Sequence, residues 1–267
     1  MSTKTAAVQT PRAPAASRPG PRLEVTIRPG VTFPNWSVVR SESAEAAASA
    51  IFEVFGIEKC WIDYRESEDR VRRAVLDHYA SDGHAPSISH LSIVTDIGAG
   101  ELRDLLTRLK KRDLLVLDES GERITGAYPF AEWDTGHRVH LNGRVVNAMC
   151  AIDALGAGAM YGEDVTIESA CRACGEPIQA ETEHGGTALK AVTPATAVVW
   201  SGVEYAEGCA ATSLCTVIAF FCSDQHLRSW RDAEHPDIDG FRLTLDEAQQ
   251  VGMAIFTPML APATLDH

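Results

Sequence analysis

The sequence predicts an α+β protein, with an N-terminal winged-helix-like three-helix module followed by a mixed β-sheet domain with flanking helices. Two patterns carry that expectation. Between Ser67 and Arg112 apolar residues recur at helical spacing in three successive segments, and from His137 onward short runs suited to strands alternate with Gly-containing turns. A chain of 267 residues, 45% hydrophobic, is large enough to bury one large core or two modest ones.

Taken in order, residues 1 to 22 carry Pro11, Pro14, Pro19 and Pro21 among Ala, Ser and Thr, with no acid before Glu24. This composition predicts a disordered tail, and the prolines spoil the amphipathic helix of a transit peptide. Residues 23 to 66 form an N-terminal extension to which no chemistry is assigned. It holds an extended stretch, Leu23 to Ile27, and an alanine-rich helix from about Ala44 to Phe55 capped by Ser43. The winged-helix-like module spans 67 to 135. Its first helix presents Val71, Val75, Leu76 and Tyr79 on one face and ends near Gly83, a second is expected over Ile88 to Thr95, and a third runs from Gly100 to Arg112. Leu114 to Leu117 and the segment from Ile124 then read as a hairpin.

The third helix carries Arg103, Arg108, Lys110, Lys111 and Arg112 near its C-terminus and Glu101 and Asp104 near its start, the distribution the helix dipole favours. A DNA-reading helix is the alternative. The remaining domain, 136 to 262, opens with two strands around Asn142-Gly143, a dipeptide that supplies the positive φ angles of a tight hairpin. A helix holding Cys150 and Asp153 follows and should stop at Gly156 or Gly158. Strands are expected at Asp164 to Glu168, Pro177 to Thr182, Leu189 to Val192 and Thr196 to Trp200. Ser223 caps a helix through Trp230, and Thr244-Leu245-Asp246-Glu247 is a capping box for the last helix.

Charge and composition limit the partners. A formal net charge of -13 disfavours broad attraction to nucleic acid or anionic membrane and points to a small-molecule partner. No apolar run approaches the roughly 18 residues of a membrane span, and the first 22 residues lack the apolar centre of a secretory signal, so a cytoplasmic protein is expected. The seven cysteines are an odd set without the density of a secreted disulfide scaffold, so reduced thiols are expected.

Among those thiols, Cys150 and Asp153 stand three apart, which on a helix places them on one face. A carboxylate amid Ala and Leu beside a thiol is costly to bury without a partner or a task. If the fold brings Cys215 alongside, two thiols and a carboxylate converge in an arrangement suited to a soft metal such as Hg(II), Cu(I) or Zn(II). Cys171-Arg172-Ala173-Cys174-Gly175 has the shape of a zinc knuckle, but a structural zinc site needs two further ligands and no second pair follows at the usual spacing. The expectation there is a buried structural cysteine beside an incidental one. Cys209 reads as a loop residue and Cys222 as core, on the opposite face of a strand from Cys215. His137 and His140, three apart in a strand, point to opposite faces and share no metal.

From about Glu68 to Pro258 the sequence resembles the organomercurial (alkylmercury) lyases. The resemblance rests above all on the Cys150-Ala151-Ile152-Asp153 segment and on Cys215 placed five residues before Phe220-Phe221. It implies that Cys150, Asp153 and Cys215 are the catalytic set, that the same three residues meet the product Hg(II), and that Cys171 is structural. It also implies protonolysis of a carbon to mercury bond in a small organomercurial, with no organic cofactor and with product release to free thiols or a partner mercuric reductase. Three alternatives stay open at this point: a soft-metal binding protein of the same fold, a relative cleaving a different bond, and a metal-responsive regulator using the basic helix.

Overall fold

The structure, a computed structural model, describes residues 22–206 and 208–263. Most of the expected disordered tail, residues 1–21, lies outside the described residues. Arg22, at its end, pairs with Glu45 at 2.9 Å.

The extension begins with a hairpin, β1 (Val25–Arg28) and β2 (Val31–Phe33), followed by α1 (Glu42–Phe55) and the short α2 (Ile57–Trp61). The cap of α1 is Ser41, two residues before the expected Ser43, because the Ser41 side chain is the one that accepts the Ala44 N–H. Next come α3 (Glu66–Asp82), α4 (Ile88–Thr95) and α5 (Ala99–Lys111). The face of α3 read from the sequence, Val71, Val75, Leu76 and Tyr79, is buried. Leu102, Leu105, Leu106 and Leu109 of α5 pack into the same core.

The hairpin β3 (Val116–Leu117) and β4 (Ile124–Ala127) leads through β5 (Phe130–Ala131) into β6 (Arg138–Leu141) and β7 (Arg144–Ala148). At the β6–β7 turn, Asn142 and Gly143 have φ of 50° and 73°, the left-handed pair that a two-residue hairpin needs. After α6 (Ala151–Tyr161) the chain adds β8 (Thr166–Ala170), β9 (Pro177–Glu183) and β10 (Ala188–Thr193). These strands form one eight-stranded sheet of order β10-β9-β8-β6-β7-β5-β4-β3, so the hairpin after the three helices is continuous with the sheet that follows. A second sheet, β12-β11-β13, joins β11 (Val198–Gly202), β12 (Ile218–Phe221) and β13 (Gly240–Thr244), with α7 (Asp224–Glu234) between the last two in the chain. Every described pairing is antiparallel.

The last helix, α8 (Leu245–Leu260), carries the expected Thr244/Glu247 capping box and lies against α6. That contact explains Gly156, which the sequence placed at the end of a helix. Contrary to that reading, α6 continues through Gly156 and Gly158 to Tyr161 and is capped by Gly162. Gly156 and Gly252 face each other. A Cβ on Gly156 would stand 2.7 Å from the Gly252 carbonyl oxygen, and one on Gly252 would stand 2.7 Å from the Ile152 oxygen. The two backbones therefore approach as only glycines permit. No helix among the described residues is long and apolar enough to cross a membrane.

Candidate active site

Cys150 does not lie on the helix face with Asp153, as the spacing suggested. It is the N-cap of α6, in extended backbone, and its Sγ accepts the Asp153 N–H at 3.5 Å. The three-residue spacing is thus that of a cap and its first-turn partner, and it still sets the two side chains together. Cys215 arrives from the other sheet. It lies in a 3-10 turn, Leu214–Val217, that feeds β12, and its thiol donates to Asp153 Oδ2 at 3.6 Å. One ligand atom from each of Cys150, Asp153 and Cys215 lies within 4.8 Å of the others.

All three residues are buried, and they line a cavity of about 90 Å³ whose other walls are nearly all apolar. Burial raises the Asp153 carboxyl to about 7 against the opposing hydrogen bonds from both thiols. The Cys150 thiol is also pushed up, chiefly by burial. Cys215 is raised well above its usual range by its hydrogen bond with Cys150 and by burial. At neutral pH the cavity therefore presents two protonated thiols beside a carboxyl group able to gain or lose a proton.

The cavity also contains groups that sequence reasoning missed. Phe33, Ile51, Phe52, Phe55 and Trp61 line it, so the extension without assigned chemistry supplies much of one wall. Arg72 of α3 is buried there, with no hydrogen-bond partner for Nε or Nη1 among the described residues, beside the Trp61 ring. Asp113, just beyond α5 at φ 53°, accepts from the Tyr128 hydroxyl at 2.9 Å, the Tyr205 hydroxyl at 3.2 Å and the Ala210 N–H at 2.7 Å. Tyr128 in turn accepts the Ala211 N–H at 2.8 Å. These bonds tie the segment before Cys215 to the end of α5. Burial raises the Asp113 carboxyl to about 6 despite those donors. Its one sequence signal was an acid adjoining the apolar run Leu114 to Leu117.

The other candidates are placed elsewhere. Cys171 is not in the cavity. It gathers with Cys174, Cys222 and His226, so the two ligands that the C-x-x-C lacked in sequence are present in space. Cys222 follows β12 directly while Cys215 precedes it in the 3-10 turn, so the two are not opposite faces of one strand. His137 is buried against Ser169, with Nδ1 2.8 Å from the hydroxyl, and burial lowers it to about 4. His140 instead faces Glu168 at 3.2 Å.

Residues 130–257 match the family model described as alkylmercury lyase, a span that contains all three cavity residues. Over these residues the chain is similar to the alkylmercury lyases. The alkylmercury lyase of Bacillus cereus is 29% identical over 175 residues, covering 66% of this chain and 76% of that one. That of Staphylococcus epidermidis is 27% identical over 157 residues, covering 59% and 69%. The crystal structure of the mercury-bound form of MerB2 aligns with a TM-score of 0.66 at 27% identity, covering 78% of this chain and 98% of that one. The matched span begins at Phe130, so the wall residues Phe33 to Trp61 and the anchoring Asp113 lie upstream of it.

Proposed function

We propose that this chain cleaves the carbon to mercury bond of small organomercurials by protonolysis, with Cys150 and Cys215 as mercury ligands and Asp153 as the proton carrier. The observation that most supports this reading is the meeting of two thiols and one carboxyl oxygen within 4.8 Å inside an apolar cavity. Sulfur is the donor that Hg(II) prefers, and a carboxyl group poised near neutrality is suited both to accept a proton and to give it back.

Ionised Asp153 takes the Cys150 proton, and the thiolate binds the mercury of R–Hg⁺. Cys215 joins as second sulfur ligand and loses its own proton. Sulfur donation weakens the carbon to mercury bond, whose electron pair then takes the proton held on Asp153. The balance is R–Hg⁺ plus two thiols giving R–H, Hg(II) held by two thiolates, and one proton released to water. Mercury remains Hg(II) throughout, so the reaction calls for no redox cofactor. The dithiolate product passes to free small thiols or to a partner mercuric reductase.

The basic helix lends little support to a DNA-reading regulator. Arg103 pairs with Glu122 at 2.8 Å, Arg112 with Glu68 at 2.9 Å, and Arg108 lies 3.7 Å from the same Glu68 carboxylate. Three of the five cations are thereby engaged within the molecule.

The test is headspace detection of benzene or methane from phenylmercury or methylmercury under excess small thiol. Wild type should give multiple turnovers that vanish in Cys150→Ser, Asp153→Ala and Cys215→Ser. Tight mercury binding by the wild type without hydrocarbon would overturn the reading in favour of a thiol-based metal binder.

A further inference from the structure

We propose that Cys171, Cys174, Cys222 and His226 form a tetrahedral Zn(II) site, separate from the cavity of Cys150, Asp153 and Cys215. Three thiols and one imidazole are a donor set that closes a structural zinc site, leaving no open position for catalysis. The four ligand atoms lie within 4.8 Å of one another. With zinc to sulfur bonds of about 2.3 Å, the edge of a tetrahedron is about 3.8 Å between sulfurs and about 3.5 Å between sulfur and nitrogen. The Cys174 and Cys222 sulfurs are 3.8 Å apart. His226 Nδ1 is 2.9 Å from the Cys222 sulfur and 3.9 Å from that of Cys171, values that straddle the tetrahedral edge.

The backbone supports the same reading. Cys171 and Cys174 flank the turn between β8 and β9, closed by the Gly175 N–H donating to the Cys171 carbonyl at 2.8 Å with Gly175 at φ 76°. Cys222 directly follows β12, and His226 lies in the first turn of α7, held there by its N–H donating to the Ser223 hydroxyl at 3.3 Å. The ligand spacings are therefore C-x2-C and C-x3-H, with each half on a structured turn. Cys171 and Cys222 are buried, whereas Cys174 is exposed and gives an ion access from solvent. Loading transfers three thiol protons to water and leaves zinc bound by three thiolates and a neutral imidazole.

The site would join the two sheets. The Arg172 N–H donates to the Phe220 carbonyl at 3.0 Å, so the β8–β9 turn already docks on β12, the strand that follows Cys215. Zinc would fix that junction and so act as a positioning element for Cys215, without touching the reacting atoms.

The experiment is elemental analysis of the full chain expressed with zinc, purified without chelator and before any exposure to mercury. About one zinc per chain is expected for wild type and for the Cys150→Ser/Cys215→Ser variant, and less than about a tenth of that for a Cys174→Ser/His226→Ala variant. Co(II) loaded in place of zinc should show the intense visible bands and sulfur charge-transfer band of a tetrahedral thiolate site in the first two proteins and not in the third. Far-UV circular dichroism establishes that the third protein is folded. Folded wild type without zinc and without Co(II) bands would overturn the proposal. So would metal lost from the Cys150→Ser/Cys215→Ser variant but kept in Cys174→Ser/His226→Ala. Metal content is read without turnover, so this result is independent of the lyase reading.

Discussion

Asp153 sits where an ionised carboxylate loses most of its hydration, and this burial raises it from its ordinary 3.8 to about 7 against the opposing hydrogen bonds from both thiols. A carboxyl group raised on folding binds its proton more tightly in the folded state. Its contribution to stability is full below about 4 and is lost as pH rises through about 7. Asp153→Asn has no such dependence, so the wild type should lose stability relative to it by roughly tenfold in the unfolding constant per pH unit between pH 5 and 7. Asp113, which is raised in the same sense, is common to both proteins and cancels. Urea midpoints at pH 5, 6, 7 and 8 test this; parallel profiles for the two proteins would refute it. With ionised Asp153 accepting the thiol proton, as proposed, hydrocarbon release should also climb to a plateau as pH passes through about 7. At Asp113, replacement by Ala strands the Ala210 N–H and two phenol hydroxyls, at a cost of about 1–3 kcal/mol. The same change should lower turnover by loosening the approach to Cys215, and Asp113→Ala with undiminished urea stability would show that these bonds are dispensable.

The crossing of α6 and α8 converts a pair of glycines into the placement of Cys150 and Asp153. At Gly252 an added methyl group meets backbone atoms of α6, which cannot rotate away as a side chain can. Gly252→Ala should therefore cost about 1–3 kcal/mol in urea unfolding, even though alanine favours helix. A stability gain would mean that the helices part freely. What the sequence disclosed was local. The α3 face, the Asn142-Gly143 turn and the Thr244 box were legible because their contacts lie within a few residues. Cys150 and Asp153 were legible as a pair for the same reason, although through a cap rather than a helix face. The zinc-type cluster and the Asp113 anchor were not, since Cys174 meets Cys222 across 48 residues and Asp113 meets Ala210 across 97. Such meetings are set by the order of strands in two sheets, and no local pattern records it.

The extension bears on the whole protein because its residues line the cavity and also hold the helix that backs it. Arg28 of β1 is buried and spends its guanidinium on three carbonyls at the end of α8, those of Pro258, Met259 and Ala261, at 2.6 to 2.9 Å. The same group forms a two-point pair with Asp69 of α3, at 2.8 and 3.1 Å. One side chain thus joins the first hairpin, the three-helix segment and the end of the helix that packs on the active-site helix. Removing it leaves both a carboxylate and the last carbonyls of α8 without their donors, a loss of about 3–5 kcal/mol for a buried pair. We therefore expect Arg28→Ala to shift one cooperative transition, with far-UV circular dichroism and tryptophan fluorescence moving together, rather than to split it. Hydrogen exchange followed by mass spectrometry should show protection falling in β1, β2, α6 and α8 together. Loss confined to residues 22–61, with α6 and α8 still protected, would mean that the extension is an appendage whose ordering is not coupled to Cys150 and Asp153. Coupled loss would mean that the cavity wall and the groups it encloses are built as one unit, so that removing Phe55 and Trp61 by truncation would also disturb the placement of Cys150 and Asp153.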